Sequence, residues 1–365
     1  MRPRNSLYKS FPRPLALIFG AGATRGGLVD KVDIPPPVDN DFFDIAAQLK
    51  GHGTPRIAGH VLRSVWELYG RTSGISLERY YRDIETRTAI GRFAKTSNKP
   101  KDWRRRQDEL EELIRRVYIH TTCNIQRSPG RPIRSEVHRN ILSRLKPNDT
   151  VITFNYDLLI EESIDPSPLW NPVDGYGLSV QGKTHNWCKH WLTDRSYSQP
   201  SSKIKVLKLH GSLNWRLYKN NRIISLKHYP YFVRTRNGKP LPEEISVLPP
   251  GWNKRIDQKP YREFWRSARL ALETCKTLII LGYSLPETDL LAQALFAEVV
   301  RTRKVRGHWL KELYLADPNQ AVKERFVELF IPSLAPNSSI FKYRDIQEFS
   351  AALSSGPRGT PNGVA

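Results

Sequence analysis

The sequence predicts an α/β fold: an open, mainly parallel sheet carrying a large helical insertion. Three observations lead there. Short apolar runs at Leu15–Phe19, Val151–Phe154, Ile204–Leu209 and Leu278–Leu281 end in glycine, asparagine or histidine, as strands buried on both faces do. From Leu278 onward, strand and helix patterns alternate, which implies parallel pairing. Between the first two runs, Asp41–Leu145 has helical periodicity instead. A chain of 365 residues can hold one large domain or two smaller ones.

The elements follow in order. Residues 1–14 read as a basic arm with Arg2, Arg4, Lys9 and Arg13. The apolar run after them is too short for a signal peptide. Leu15–Phe19 is the first strand, and Arg25–Asn40, with Gly26-Gly27 and Pro35-Pro36-Pro37, reads as a loop. Helical spacing covers Ile57–Tyr69, Leu77–Ile90, Trp103–Thr122 and Glu136–Leu145; Leu110, Leu113, Ile114 and Val117 form one stripe. Val151–Phe154 is the second strand and Leu158–Ile164 a short helix. Residues 165–202 and 230–258 lack periodicity and read as irregular excursions. Ile204–Leu209 is the third strand, and Asn220-Asn221 suggests a hairpin between 214–218 and 222–226. Tyr261–Thr274, Leu290–Val300 and Ala321–Phe330 read as helices; Leu278–Leu281 and Glu312–Leu315 read as strands. Ser354–Ala365 is rich in Gly, Pro and Ser and reads as a disordered tail. The expected organisation is one domain over 15–353 with its insertion at about 41–145.

Lysine and arginine total 58 against 36 acids, a formal charge of +22. The excess clusters. Lys203–Lys239 has ten basic residues and no acid; Arg115–Lys146 has eight basic residues and only Glu136. Such patches attract polyanions, so nucleic acid or an acidic partner is a candidate, beside the plainer reading of a solvated basic face. Mean hydropathy is −0.52, and no apolar run approaches the ~20 residues of a membrane span. Cys123, Cys188 and Cys275 are far apart. That argues against a disulfide framework or zinc ribbon and fits a reducing cytoplasm.

Four short segments carry the chemistry. Gly20-Ala21-Gly22-Ala23-Thr24 follows a strand, where glycines let backbone amides approach a phosphate. Arg25 stands where a dinucleotide fingerprint has its third glycine, and its guanidinium suits a phosphate. Asn155 and Asp157 sit two apart at the second strand's end, a spacing that places both on one face. They suit a ligand pair, with a turn and helix cap as the plainer alternative. His210 ends the third strand before Gly211, a setting for a base near neutral pH. His52, His60, His120, His138, His185, His190, His228 and His308 lack that setting. Gly282-Tyr283-Ser284 ends another strand, with Asp289 placed to cap the next helix. Asp317 ends a further strand, where an acid can accept both hydroxyls of a ribose or cap a helix.

Taken in order, these segments resemble the SIR2 superfamily. Gly20–Thr24 resembles its GAG-S/T loop, Thr153–Asp157 its T-x-N-x-D strand end, His210-Gly211 its catalytic HG, and Gly282–Leu285 its G-x-S-L turn. The forms "TFNYD", "LHGSLNW" and "GYSLPETD" look more like the bacterial SIR2-like defence proteins than the deacylases. The four zinc cysteines of the deacylases are missing from the sequence, and their GIPDFR segment has no clear counterpart in 25–43.

The resemblance implies a Rossmann-like domain and NAD⁺ as substrate, with no metal. It implies hydrolysis of the nicotinamide–ribose bond by an NADase in antiphage (antiviral) defence. Asn155 and His210 would be catalytic. Gly20, Ala21, Gly22, Ala23, Thr24, Arg25, Asp157, Gly282, Tyr283, Ser284 and Asp317 would bind NAD⁺. Homo-oligomerisation, or a separate regulator such as an ATPase, Argonaute or sensor protein, is expected with it. The competing expectations are a zinc-free NAD-dependent deacylase or ADP-ribosyltransferase, and a nucleic-acid-binding or sensor subunit without turnover.

Overall fold

The computed structural model describes residues 11–50, 54–71, 74–93, 100–124, 131–164, 169–171, 174–177, 202–217, 224–226, 244–247 and 261–355. Along the chain, Leu15–Phe19 (β1) leads into Ala21–Leu28 (α1). The insertion follows as Phe42–Gln48 (α2), Thr54–Tyr69 (α3), Leu77–Phe93 (α4) and Pro100–Thr122 (α5). Cys123–Asn124 (β2) and Arg131–Pro132 (β3) pair as a small antiparallel ribbon. Next come Glu136–Leu142 (α6), Thr150–Thr153 (β4), Leu159–Ile164 (α7) and Lys205–Lys208 (β5). Gly211–Leu217 (β6), Ile224–Leu226 (β7) and Glu244–Val247 (β8) form a three-stranded antiparallel sheet with β6 central. The chain continues through Tyr261–Thr274 (α8), Thr277–Leu281 (β9), Leu290–Arg306 (α9), Leu310–Ala316 (β10) and Gln320–Phe330 (α10). Leu334–Tyr343 (β11) and Ile346–Ser355 (α11) complete the described residues.

The main sheet has six strands in the order β11-β10-β9-β1-β4-β5, all parallel. The fold is therefore the expected α/β class. Every residue of β1, β4 and β9 is buried, which explains why these runs show no polar alternation. Register then levels the strand ends. Phe19 lies beside both Thr153 and Leu281, Thr153 beside Lys208, and Leu281 beside Ala316. The residues that follow, from Gly20, Phe154, Leu209, Gly282 and Asp317 onward, share one edge of the sheet. In an open α/β sheet that edge is where ligands bind.

Two apolar cores support it. One lies against the sheet and includes Phe19, Ile152, Leu207, Phe264, Leu272, Phe296 and Phe326. The other joins the insertion helices through Phe42, Val61, Val65, Tyr80 and Ile84 and the whole stripe Leu110, Leu113, Ile114 and Val117. Tyr156 and Leu213 belong to this second core, so the insertion packs directly under the segments that carry Asn155 and His210.

Several expectations need correction. Residues 25–28, read as the start of a loop, belong to α1. Gly26 and Gly27 serve helix packing there. A Cβ on Gly27 would lie 2.5 Å from the His138 ring, and one on Gly26 2.7 Å from Ile346. Within the excursion 230–258, residues 244–247 form β8 against β6, because pairing there is set by a distant strand. The edge strand β11 and helix α11 were not anticipated. β11 carries Pro336 and is mostly half-exposed, a pattern that edges tolerate. Ser354 and Ser355, assigned to the tail, end α11. Most of residues 165–202, the turn 218–223, the segment 227–243 and the remainder of the tail lie outside the described residues.

Candidate functional site

The turn after β1 meets the turn after β9 at backbone distance. Gly20 N donates to Leu281 O at 3.0 Å and Gly22 N to Gly282 O at 2.9 Å. A Cβ on Gly20 would lie 2.4 Å from Gly282 O, and one on Gly282 2.1 Å from Ala23 N. Gly282 also has φ +55°, a conformation that favours glycine. The glycines thus let two strand ends cross, and Ala21–Thr24 form the first turn of α1 above the crossing.

Asn155 is fixed across this turn. Its Nδ2 donates to Gly20 O at 2.8 Å and to Thr24 Oγ1 at 2.9 Å, while its backbone N donates to Thr153 Oγ1 at 3.0 Å. With the amide nitrogen assigned by a backbone carbonyl, Oδ1 is the group presented as an acceptor. Thr24 in turn donates to Asp157 Oδ2 at 2.6 Å, and Asp157 Oδ1 accepts from Leu159 N at 3.0 Å. Asp157 therefore both caps α7 and holds Thr24 under Asn155.

Lys208 underlies this assembly. Its ammonium donates to Asp157 O and pairs with Glu161 Oε1 at 2.9 Å, both side chains being fully buried. Tyr176 OH donates to the same Glu161 oxygen at 3.0 Å. Sequence reasoning missed this cluster; the signal available was a lysine inside the apolar run Val206–Leu209.

His210, on the neighbouring strand end, is buried. Phe154 meets its ring edge-on with centroids 5.2 Å apart, and Tyr156 lies at 6.3 Å. Phe154 also stacks on Tyr283 at 4.2 Å. The Tyr283 side chain is thus a wall of the site, with burial holding its hydroxyl pKa well above the ordinary value.

The remaining expected binders, Arg25, Ser284 and Asp317, make contacts of their own. Arg25 Nε donates to Pro36 O at 2.8 Å, and its guanidinium pairs with Asp41 at 2.5 Å, tying α1 to the following segment. Ser284 is exposed, and its carbonyl accepts from Arg325 at 3.3 Å. Asp317 stands at the carboxyl end of β10 and accepts from Asn319 N at 2.8 Å. Asn319, not Asp317, caps α10. Burial raises the Asp317 pKa.

Among the other histidines, His138 is buried against Phe19 and Ser135, and burial lowers its pKa to about 4. Cys123 and Cys275 are buried thiols; Cys188 lies outside the described residues. Among the described residues no group of His, Cys, Asp and Glu is placed to hold a metal, and no helix is long and apolar enough to cross a membrane.

The arrangement places an amide side chain and an imidazole, both buried, just past the ends of two adjacent parallel strands. Residues 149–329 match the family model of the SIR2-like domain, a span that includes Asn155, His210 and the Gly282–Leu285 turn. Similar solved structures include a SIR2 homologue–NAD complex, 14% identical, covering 95% of this chain and 90% of that one, with a TM-score of 0.42. Another is a mutant Sir2 homologue with 2′-O-acetyl ADP ribose, 11% identical, covering 93% and 88%, with a TM-score of 0.39. A third is a Sir2–p53 peptide–NAD⁺ structure, 13% identical, covering 94% and 93%, with a TM-score of 0.37. No curated protein matches the sequence.

Proposed function

We propose that this protein hydrolyses NAD⁺ to nicotinamide and ADP-ribose. The observation that carries the reading is the juxtaposition of Asn155 and His210 on adjacent strand ends, within a span that matches the SIR2-like domain. Nicotinamide is a good leaving group because its ring is cationic before cleavage. The C1′–N bond breaks with its electron pair going to the ring, and water adds to C1′. The water's second proton passes to a base, so the sum is NAD⁺ plus water giving nicotinamide, ADP-ribose and H⁺. Charge develops at C1′, so orientation and electrostatics matter more than a strong nucleophile.

In this reading Asn155 Oδ1 orients the attacking water or the adjacent ribose, and His210 accepts the proton or holds a ribose hydroxyl. Backbone around Gly20–Thr24 and Ser284 holds the pyrophosphate. Asp317 takes the adenosine ribose, and Arg25 and Asp157 support the same loop from behind. The domain spans 15–353 and carries its insertion at 41–145. Its setting is cytoplasmic antiphage defence, with activity controlled by self-assembly or a separate partner, and the basic segments are available to nucleic acid.

The test incubates purified protein with NAD⁺, with and without nucleic acid, and identifies the products by mass. Free nicotinamide and ADP-ribose are expected. Asn155→Ala and His210→Ala should each abolish their formation while circular dichroism stays unchanged. Wild-type rates in both folded variants would overturn the assignment; an acceptor-dependent product would move it to deacylation or ADP-ribosyl transfer.

A further inference from the structure

His210 has a carboxylate neighbour that capping alone does not explain. Its Nε2 lies 3.4 Å from Asp289 Oδ2, and the two side chains are 5% and 1% exposed. That distance is long for an ideal hydrogen bond, but catalytic contacts often tighten only when substrate binds. Asp289 is held from several sides. Its Oδ1 accepts from Ala292 N at 3.4 Å, capping α9, and its Oδ2 accepts from Tyr283 OH at 3.3 Å. Tyr283 stacks on Phe154, which meets the His210 ring. The preceding residue, Thr288, donates its hydroxyl to Glu78 at the start of α4, and Glu78 N donates to Asp39 at 2.9 Å. The insertion is thereby fastened to the turn that carries Asp289.

We propose that Asp289 is the positioning residue of His210. Its carboxylate holds the imidazole with the proton on Nε2, which makes the Nδ1 lone pair the ring's base. This rests on the reading of His210 as the group that takes a proton from the attacking water or a ribose hydroxyl. A buried carboxylate beside a histidine selects the tautomer and stabilises the imidazolium once it forms. Helix capping needs only an oxygen and would be served by Asn or Ser. Among the described residues, the charged and titratable groups around the pair include Asp39, just before the insertion, Glu78 within it, Tyr156 after β4, and Tyr283 on the β9–α9 turn. Lys208, two residues before His210, points instead to Glu161 and Asp157 O.

The test compares wild type with Asp289→Asn and Asp289→Ser, both able to cap α9. Turnover of NAD⁺ should fall by about tenfold or more. The acid limb of the kcat/KM profile should move to lower pH, because the imidazolium loses its carboxylate. In parallel, histidine-selective NMR follows the His210 resonance, assigned by its loss in His210→Asn. Wild-type His210 should appear as the Nε2–H tautomer, and its titration midpoint should drop in both Asp289 variants. A wild-type Nδ1–H tautomer, or a midpoint unchanged in Asp289→Asn, would overturn the proposal even if turnover falls. The NMR readings stand whether or not NAD⁺ is the substrate. Absence of turnover in the wild type, with the midpoint still shifting, would sink the proposed reaction and leave the pair intact.

Discussion

Replacing Lys208 with methionine tests whether the buried cluster beneath the site carries the energy its geometry implies. In the protein, Glu161 Oε1 receives both the Lys208 ammonium at 2.9 Å and the Tyr176 hydroxyl at 3.0 Å. Glu161 Oε2 is buried without a partner. Lys208→Met would leave the carboxylate with one neutral donor and no counter-charge, and would strip Asp157 O of its donor. Removing one partner of a buried ion pair costs about 3–5 kcal/mol. The double variant Lys208→Met/Glu161→Gln removes the stranded charge while the glutamine carbonyl still accepts from Tyr176. It should recover about 1–3 kcal/mol of that loss. Urea unfolding of wild type, both single variants and the double variant, at constant m-value, gives the coupling energy. A Lys208→Met cost below about 1 kcal/mol, or a double variant equal to the sum of the singles, would refute the reasoning. NAD⁺ affinity should also weaken in Lys208→Met, because Asp157 positions Thr24 and Thr24 positions Asn155.

Other outcomes follow from the same geometry. Gly282→Ala places a Cβ 2.1 Å from Ala23 N at φ +55°. It should cost about 2–3 kcal/mol from left-handed strain and the threatened Gly22–Gly282 hydrogen bond; a urea midpoint close to wild type would contradict this. His138 has a folded pKa lowered by burial to about 4 from 6.5. Its stabilising contribution is therefore complete above pH 6.5 and is lost as pH falls toward 4, by about 3 kcal/mol. His138→Gln should flatten that part of the stability–pH curve, and an identical slope in both proteins would count against it. Binding of nucleic acid or an acidic partner to the basic segments should weaken steeply with salt. Charge reversal at Arg234 and Arg236 should reduce it more than NAD⁺ affinity; weak, reversal-insensitive binding at low salt would leave a solvated basic face.

Strand positions were legible because burial on both faces writes an unbroken apolar run. Tyr261–Thr274 matches α8 at both ends, and Leu15–Phe19 matches β1. The stripe Leu110, Leu113, Ile114 and Val117 was legible because one helix face meets one core. Gly26-Gly27 misled, because a glycine pair reads as a loop until a neighbouring helix is seen to need the space. Strands β8 and β11 were missed because their pairing partners, not their own composition, make them strands.

By itself, the sequence determined the α/β class and the order of the strand-end segments, whose resemblance to the SIR2 superfamily singled out Asn155 and His210 for the proposed chemistry. These are local properties: apolar run length, periodicity and the residue that ends a run. Tertiary structure alone decided which strand ends are neighbours and what their polar side chains meet. The register that levels Phe19, Thr153, Lys208 and Leu281 depends on pairing between segments far apart along the chain. The pairing of His210 with Asp289, the Lys208–Glu161–Tyr176 cluster and the fastening of Thr288 to Glu78 are likewise long-range contacts. Buried polar groups must find partners wherever the fold brings them, and no local pattern specifies which.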